Sequence, residues 1–179
     1  MIMYKLFDIS FLNDDYHSAI EKLKKGAFMV VPSGPGLATI DKDKRYAEAV
    51  QKADFAIPDS GYMVLLLKYF KRINLNKFSG YDFLKHFFNE KISKNDLFLI
   101  DPNEGQSKLN NDYLNKIGIP IENSYQYVAP MYGDYKIVDT LLLNRLNTLR
   151  EKPKYIMINF GSGVQEPLGY YLKQNLNFL

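Results

Sequence analysis

Short apolar runs of strand length alternate with longer segments of helix-spaced apolar residues along nearly the whole chain, and this order leaves few architectures open. A strand, a covering helix and a further strand build a mainly parallel sheet with helices on both faces, so the expected class is α/β. Tyr4 to Ile9 is the first expected strand. Tyr16, Ala19, Ile20 and Leu23 then keep the i, i+3, i+4, i+7 spacing of an amphipathic helix, which Gly26 ends. Ala27 to Val31 is continuously apolar, as a strand buried on both faces must be, and Phe55 to Ile57 repeats the pattern after a helix over Asp43 to Lys52. Leu97 to Ile100, Tyr125 to Val128 and Tyr155 to Phe160 are further strands, with helices near Tyr81 to Asn89, Gln106 to Ile117 and Lys136 to Arg150. In the last of these, Val138, Leu141, Leu142, Leu146 and Leu149 form an apolar stripe assigned to core packing. No repeat or long linker divides the 179 residues, so 1–179 is expected to be one domain.

Composition restricts the chemistry more than the fold. The absence of cysteine excludes disulfides, thiolate nucleophiles and cysteine-bound zinc. His17 and His86 lie in separate helical segments without the paired spacing of a helical metal site, so both are expected to be structural and no metal is expected. The 23 basic and 20 acidic side chains are well mixed, and the 14 tyrosines and 12 phenylalanines form no compact cluster with basic residues. Nucleic acid is therefore not an expected partner. Met1 to Asp8 lacks the basic-then-apolar order of a signal peptide. Tyr62 to Phe70 is interrupted by Lys68 and is well short of the roughly 20 residues that cross a bilayer as a helix. A cytoplasmic chain is expected, with this run a buried helix.

Ligands of an open parallel sheet gather beyond the carboxyl ends of its strands, and three turns hold such positions. After Val31 come Ser33, Gly34 and Gly36, where the lack of side chains lets backbone N–H groups approach a phosphate or sugar. This stretch matches neither the phosphate-loop nor the dinucleotide pattern, and an ordinary strand-to-helix turn is the competing interpretation. Asp59, beside Ser60 and Gly61, stands where a carboxylate can take a proton from an attacking sugar hydroxyl, or else cap a helix. Gly161, Gly163, Gln165 and Glu166 combine a sharp turn with an amide that both donates and accepts and an acid suited to a first helical turn. These turns are expected to converge at one rim of the sheet. Lys68, Lys71, Arg72 and Lys77 surround a short loop suited to a diphosphate, to an anionic membrane surface, or simply to solvent.

At these segments three motifs stand in order. Ala53-Asp54-Phe55-Ala56-Ile57-Pro58-Asp59-Ser60-Gly61 resembles an "alanine-aspartate, apolar run, proline-aspartate-glycine" signature. Phe78-Ser79-Gly80-Tyr81-Asp82 resembles a "serine or threonine, glycine, any residue, aspartate" element, and Phe160-Gly161-Ser162-Gly163-Val164-Gln165-Glu166 a "glycine, any residue, glycine, then glutamine-glutamate" element. Together they resemble the WecG/TagA/CpsF glycosyltransferase family from about residue 27 to the end of the chain.

The resemblance implies a Rossmann-like domain that moves N-acetylmannosamine or a related N-acetylhexosamine from a UDP-sugar donor to a polyprenyl-diphosphate-linked sugar, in the synthesis of cell-surface or cell-wall polysaccharide. It implies an inverting, metal-independent reaction without a cofactor. Asp59 becomes the catalytic base and Gln165 a substrate-binding residue. Ser33, Gly34, Gly36, Ser60, Gly61, Ser79, Gly80, Asp82, Gly161, Gly163 and Glu166 complete the substrate-binding set. Two departures bear on activity. Pro32, Ser33 and Gly34 replace the family's threonine, any residue, asparagine, so the usual hydroxyl is either lost or supplied by Ser33. Family members also continue past the glutamine-glutamate helix into a segment with arginines for the diphosphate and apolar residues for the membrane, whereas this sequence stops at Leu179. Substrate binding with slow turnover, or none, is therefore expected, with Lys71 and Arg72 as candidate substitutes for those arginines. Peripheral contact at the inner face of the plasma membrane is expected through the missing segment, and a second copy of the chain, as a homo-oligomer, is compatible with the sequence. The alternative from another class is a noncatalytic nucleotide- or sugar-binding module.

Overall fold

A computed structural model describes residues 3–59, 61–75, 79–133 and 137–178, with Tyr62, Met63, Leu66, Phe70 and Lys71 described by backbone alone. The chain falls into two compact units, Met1–Glu90 and Lys91–Leu179, and each contains its own sheet.

In the first unit the expected opening strand is a hairpin. Strands β1 (Met3–Leu6) and β2 (Ile9–Leu12) pair antiparallel around Phe7 and Asp8, both with positive φ, 52° and 63°. Two consecutive left-handed residues give the twist that a two-residue hairpin needs, and the Gln51 side-chain amide holds the bend by donating to the Phe7 carbonyl at 3.1 Å. Strands β3 (Met29–Val30) and β4 (Phe55–Ala56) run parallel, β4 also pairs parallel with β2, and the sheet order is β1-β2-β4-β3. Helices α1 (Tyr16–Leu23), α2 (Gly34–Ala38), α3 (Lys44–Gln51), α4 (Gly61–Leu66) and α5 (Gly80–Phe87) accompany it, and a π-helical turn over Leu67–Lys71 continues α4. Ile9, Phe11, Val30, Tyr46, Val50, Ala56 and Leu67 form the core. His86 of α5 stacks on Tyr16 of α1 at 3.5 Å between ring centres, and His17 packs obliquely on the same ring. The stretch expected as a buried helix is helical but only partly buried: Leu67 is in the core, whereas Leu65 and Tyr69 are 55% and 79% exposed.

In the second unit β5 (Leu97–Asp101) lies between β6 (Gln126–Val128) and β7 (Tyr155–Ile158), parallel to both. All five β5 residues are buried: Leu97 to Ile100 as their continuous apolar character requires, and Asp101 with them. Helices α6 (Glu104–Lys116), α7 (Thr140–Thr148) and α8 (Gln165–Asn175) follow the strands in turn. Phe98, Ile100, Leu142, Leu146, Leu168 and Leu172 are central to its core. The expected stripe on α7 is narrower than the sequence suggested. Leu142 and Leu146 are fully buried, but Leu141 is 72% exposed and Val138 66% exposed. Asp139 sets the start of α7, so Val138 precedes the helix and does not share its inner face. Both units are α/β, with sheets dominated by parallel pairing and flanked by helices, as in Rossmann-like folds. Among the described residues no helix is long and apolar enough to cross a membrane.

Asp139 ties β6, α7 and α8 together. Its buried carboxylate accepts the α7 Leu142 N–H at 2.9 Å, the Tyr127 hydroxyl at 3.0 Å and the Tyr132 hydroxyl at 2.7 Å, while its own N–H donates to the Tyr171 hydroxyl at 3.2 Å. Burial first, and then the bond to this carboxylate, pushes the Tyr127 phenol up to about 12 and Tyr132 up as well. Both phenols must stay protonated to donate. Their contribution is therefore complete below the ordinary tyrosine value near 10, and the Tyr127 part is lost as pH rises through about 12, ahead of the Tyr132 part. Unfolding by denaturant should show stability falling over that alkaline window, and Tyr127→Phe with Tyr132→Phe should flatten the fall. On the expectation of one domain, calorimetry should also give one transition with equal calorimetric and van't Hoff enthalpies; two transitions would separate the units.

Candidate active site

The first unit places Asp59 just past the carboxyl end of β4, after the buried residues Phe55, Ala56 and Ile57. The residue is neither buried nor fully exposed, and its Oδ1 accepts the Gly80 N–H at 2.7 Å. Asp59 is therefore fixed against the start of α5, 21 residues further along the chain. The α5 cap itself is Ser79, whose hydroxyl accepts the Asp82 N–H at 3.0 Å and donates to Asp82 Oδ2 at 2.7 Å. That hydroxyl bond holds the Asp82 carboxyl below its usual range. Gly80 eases the close approach: a Cβ there would stand a tight 3.3 Å from Val31 Cγ1 and in ordinary contact, 3.9 Å, with Asp59 Oδ1. The end of β3, the end of β4 and the start of α5 thus meet at one point.

The other candidates nearby have local duties. Gly34 and Gly36 lie inside α2, and extended Ser33 caps it, its hydroxyl accepting the Gly36 N–H at 3.1 Å. Gly61 opens α4, and Ser60 lies outside the described residues. Asp54, the first acid of the signature, accepts the Phe28 N–H at 2.6 Å and so joins the approaches to β3 and β4. The expectation of metal independence also assumed that the sequence lacks an aspartate-any-aspartate triplet, and that is corrected here, because Asp41 to Asp43 is one. Asp43 spends its carboxylate on α3, accepting the Arg45 and Tyr46 N–H groups at 3.0 and 3.1 Å and pairing with the Arg45 guanidinium at 3.3 Å.

In the second unit the turn after β7 carries Gly161, which is exposed, and Gly163, whose φ of +94° suits glycine. Gln165 opens α8. Glu166 is only 1% exposed and turns back into its own loop, accepting the Gly163 N–H at 2.8 Å, the Gln165 Nε2 at 3.2 Å and the Ser162 hydroxyl at 3.3 Å. Expected as a substrate contact, Glu166 is placed as the brace that gives the turn its shape. The structure therefore groups Asp59, Ser79, Gly80 and Asp82 in the first unit, and Gly161, Gly163, Gln165 and Glu166 in the second.

Sequence reasoning missed Asp101. It ends the central strand β5 with 0% exposure, and its Oδ1 accepts the side-chain amides of Asn110 at 2.6 Å and Asn159 at 2.8 Å. Among the described residues Oδ2 meets no donor. The signal was present, because an acid directly after four apolar strand residues repeats the Ile57-Pro58-Asp59 arrangement. Asn159 leads into the Gly161 turn, so Asp101 anchors the base of that loop. Asp101→Asn keeps an oxygen for both amides and removes the buried charge, and denaturant unfolding should place it within about 1 kcal/mol of the parent chain. Asp101→Ala leaves both amides without an acceptor and should cost about 3 kcal/mol or more. Equal damage from both substitutions would contradict this account.

No curated protein sequence matches the chain. A family model described as "Glycosyl transferase WecG/TagA/CpsF family" matches residues 4–179, so the similarity carried by the motifs from about residue 27 extends through the amino-terminal hairpin as well. With that match over essentially its whole length, the chain belongs to the glycosyl transferase WecG/TagA/CpsF family and is a glycosyltransferase.

Proposed function

We propose that the enzyme moves an N-acetylhexosamine-type sugar from a UDP-sugar donor to a sugar carried on a polyprenyl diphosphate, at the inner face of the plasma membrane, for a cell-surface polysaccharide. The observation that carries this reading is the placement of Asp59. It stands at a strand's carboxyl end, held through one oxygen by the Gly80 N–H, in a residue that is neither buried nor fully exposed. In the proposed reaction the acceptor hydroxyl oxygen forms the new bond to the anomeric carbon. The bond from that carbon to the donor's phosphate oxygen breaks, UDP leaves with the electron pair, and Asp59 receives the hydroxyl proton. Inversion follows from this single displacement.

The side-chain amide of Gln165, at the first position of α8, suits the donor's sugar, since it can both donate and accept. Glu166 supports that role by holding the Gly161–Gly163 turn in shape.

The test is transfer from radiolabelled UDP-sugars to a short-chain lipid-diphosphate acceptor. Asp59→Asn retains an oxygen for the Gly80 N–H, so it should fold like the parent chain while losing about 100-fold or more in kcat, the usual worth of a general base. Equal rates in parent and variant would remove Asp59 from the base role.

A further inference from the structure

The segment that follows Asp59 has an unusual charge pattern. Residues 61–78 contain Lys68, Lys71, Arg72 and Lys77 and no aspartate or glutamate, although acids and bases are well mixed over the rest of the chain. The segment folds as α4 and its π-helical turn, and stops where Arg72 takes a left-handed φ of 55° and the Ile73 N–H returns to the Leu67 carbonyl at 3.1 Å. One side of this helical stretch faces the core, with Leu67 buried and Val64 packed on the same cluster. The outward side carries Leu65 and Tyr69, four residues apart and both well exposed, next to exposed Lys68 and followed by exposed Arg72. Among the described residues, neither Lys68 nor Arg72 is in an ion pair. An outward helix face that pairs an aliphatic and an aromatic side chain with cations and excludes acids is suited to the headgroup region of an anionic bilayer, where apolar atoms leave water and the cations meet lipid charge.

We infer that the outward face of α4 and its π-helical turn, built on Leu65, Lys68, Tyr69 and Arg72, is the surface by which this enzyme docks on an anionic membrane. The contact deepens the proposed transfer to a lipid-linked acceptor, because the docking segment begins directly after the candidate base. It differs from the expectation that membrane contact depends on a segment beyond Leu179.

Flotation of the full chain with phosphatidylcholine vesicles, with and without phosphatidylglycerol, tests the inference. Binding should require phosphatidylglycerol and weaken with added salt. Lys68→Glu should weaken it about fivefold or more, and Leu65→Ser with Tyr69→Ser by a similar factor. The Leu65/Tyr69 variant should keep the parent's rate with a short-chain acceptor in free solution. No flotation, equal flotation on neutral vesicles, or flotation unchanged by both variants would overturn the inference. Lipid binding that obeys these rules in a chain without transfer activity would leave the docking face standing and sink the proposed reaction instead.

Discussion

A helix start leaves backbone N–H groups that the helix itself cannot accept, and the way this chain meets them decides which of its polar side chains are left for chemistry. Asp15, Ser33, Asp43, Ser79, Asn103 and Asp139 each give a side-chain oxygen to the helix they precede. Residues that read as ligand contacts when taken one by one, Ser33 and Ser79 among them, are therefore structural donors and acceptors first. The first N–H of α5 is the exception that matters. Its partner is Asp59, 21 residues earlier, so a strand end and a distant helix start are joined by the same bond that orients the candidate base. At α8 the residue before the helix makes no such bond, and Glu166 reaches back to the turn in its place.

The order of strands and helices was legible because strands of a parallel sheet are buried on both faces and must be written as unbroken apolar runs. Leu97 to Ile100 is the clearest case. The hairpin at Phe7 and Asp8 was not legible, since neither residue is glycine and their left-handed dihedrals are imposed by the pairing on either side. On α7, spacing alone assigned Val138 and Leu141 to the core, but the cap at Asp139 fixed where the helix begins and left both in solvent. Candidate site residues divide along the same line. Asp59 could be found because an acid closes a short buried run. Its bond to Gly80 could not, because it depends on three chain segments meeting at a residue without a side chain. Asp101 was passed over because the Pro102-Asn103 pair after it reads as a loop start, which hides how deeply the strand's last residue is buried.

A base that takes a proton from a substrate has to be held in place and also be reachable, and the carboxylates of this chain separate on those two conditions. Glu166 and Asp139 are held by several donors each, and their oxygens are spent on the turn and on the helix start they brace. Asp101 has an oxygen without a donor among the described residues, but it is sealed at the end of β5 where no hydroxyl of a bulky acceptor can arrive without opening the unit. Asp82 and Asp43 are more open, yet each is drawn into its own helix start. Asp59 meets both conditions: one strong backbone bond fixes its direction, and its partial exposure leaves room for a partner. The residues after it add a reason of their own. A lipid-linked diphosphate brings negative charge toward the protein, and the stretch from 61 to 78 offers it cations with no acid among its own residues. Fixed direction and access thus meet at Asp59, and a basic, acid-free stretch follows it in sequence, which together argue for this candidate more than any motif taken alone.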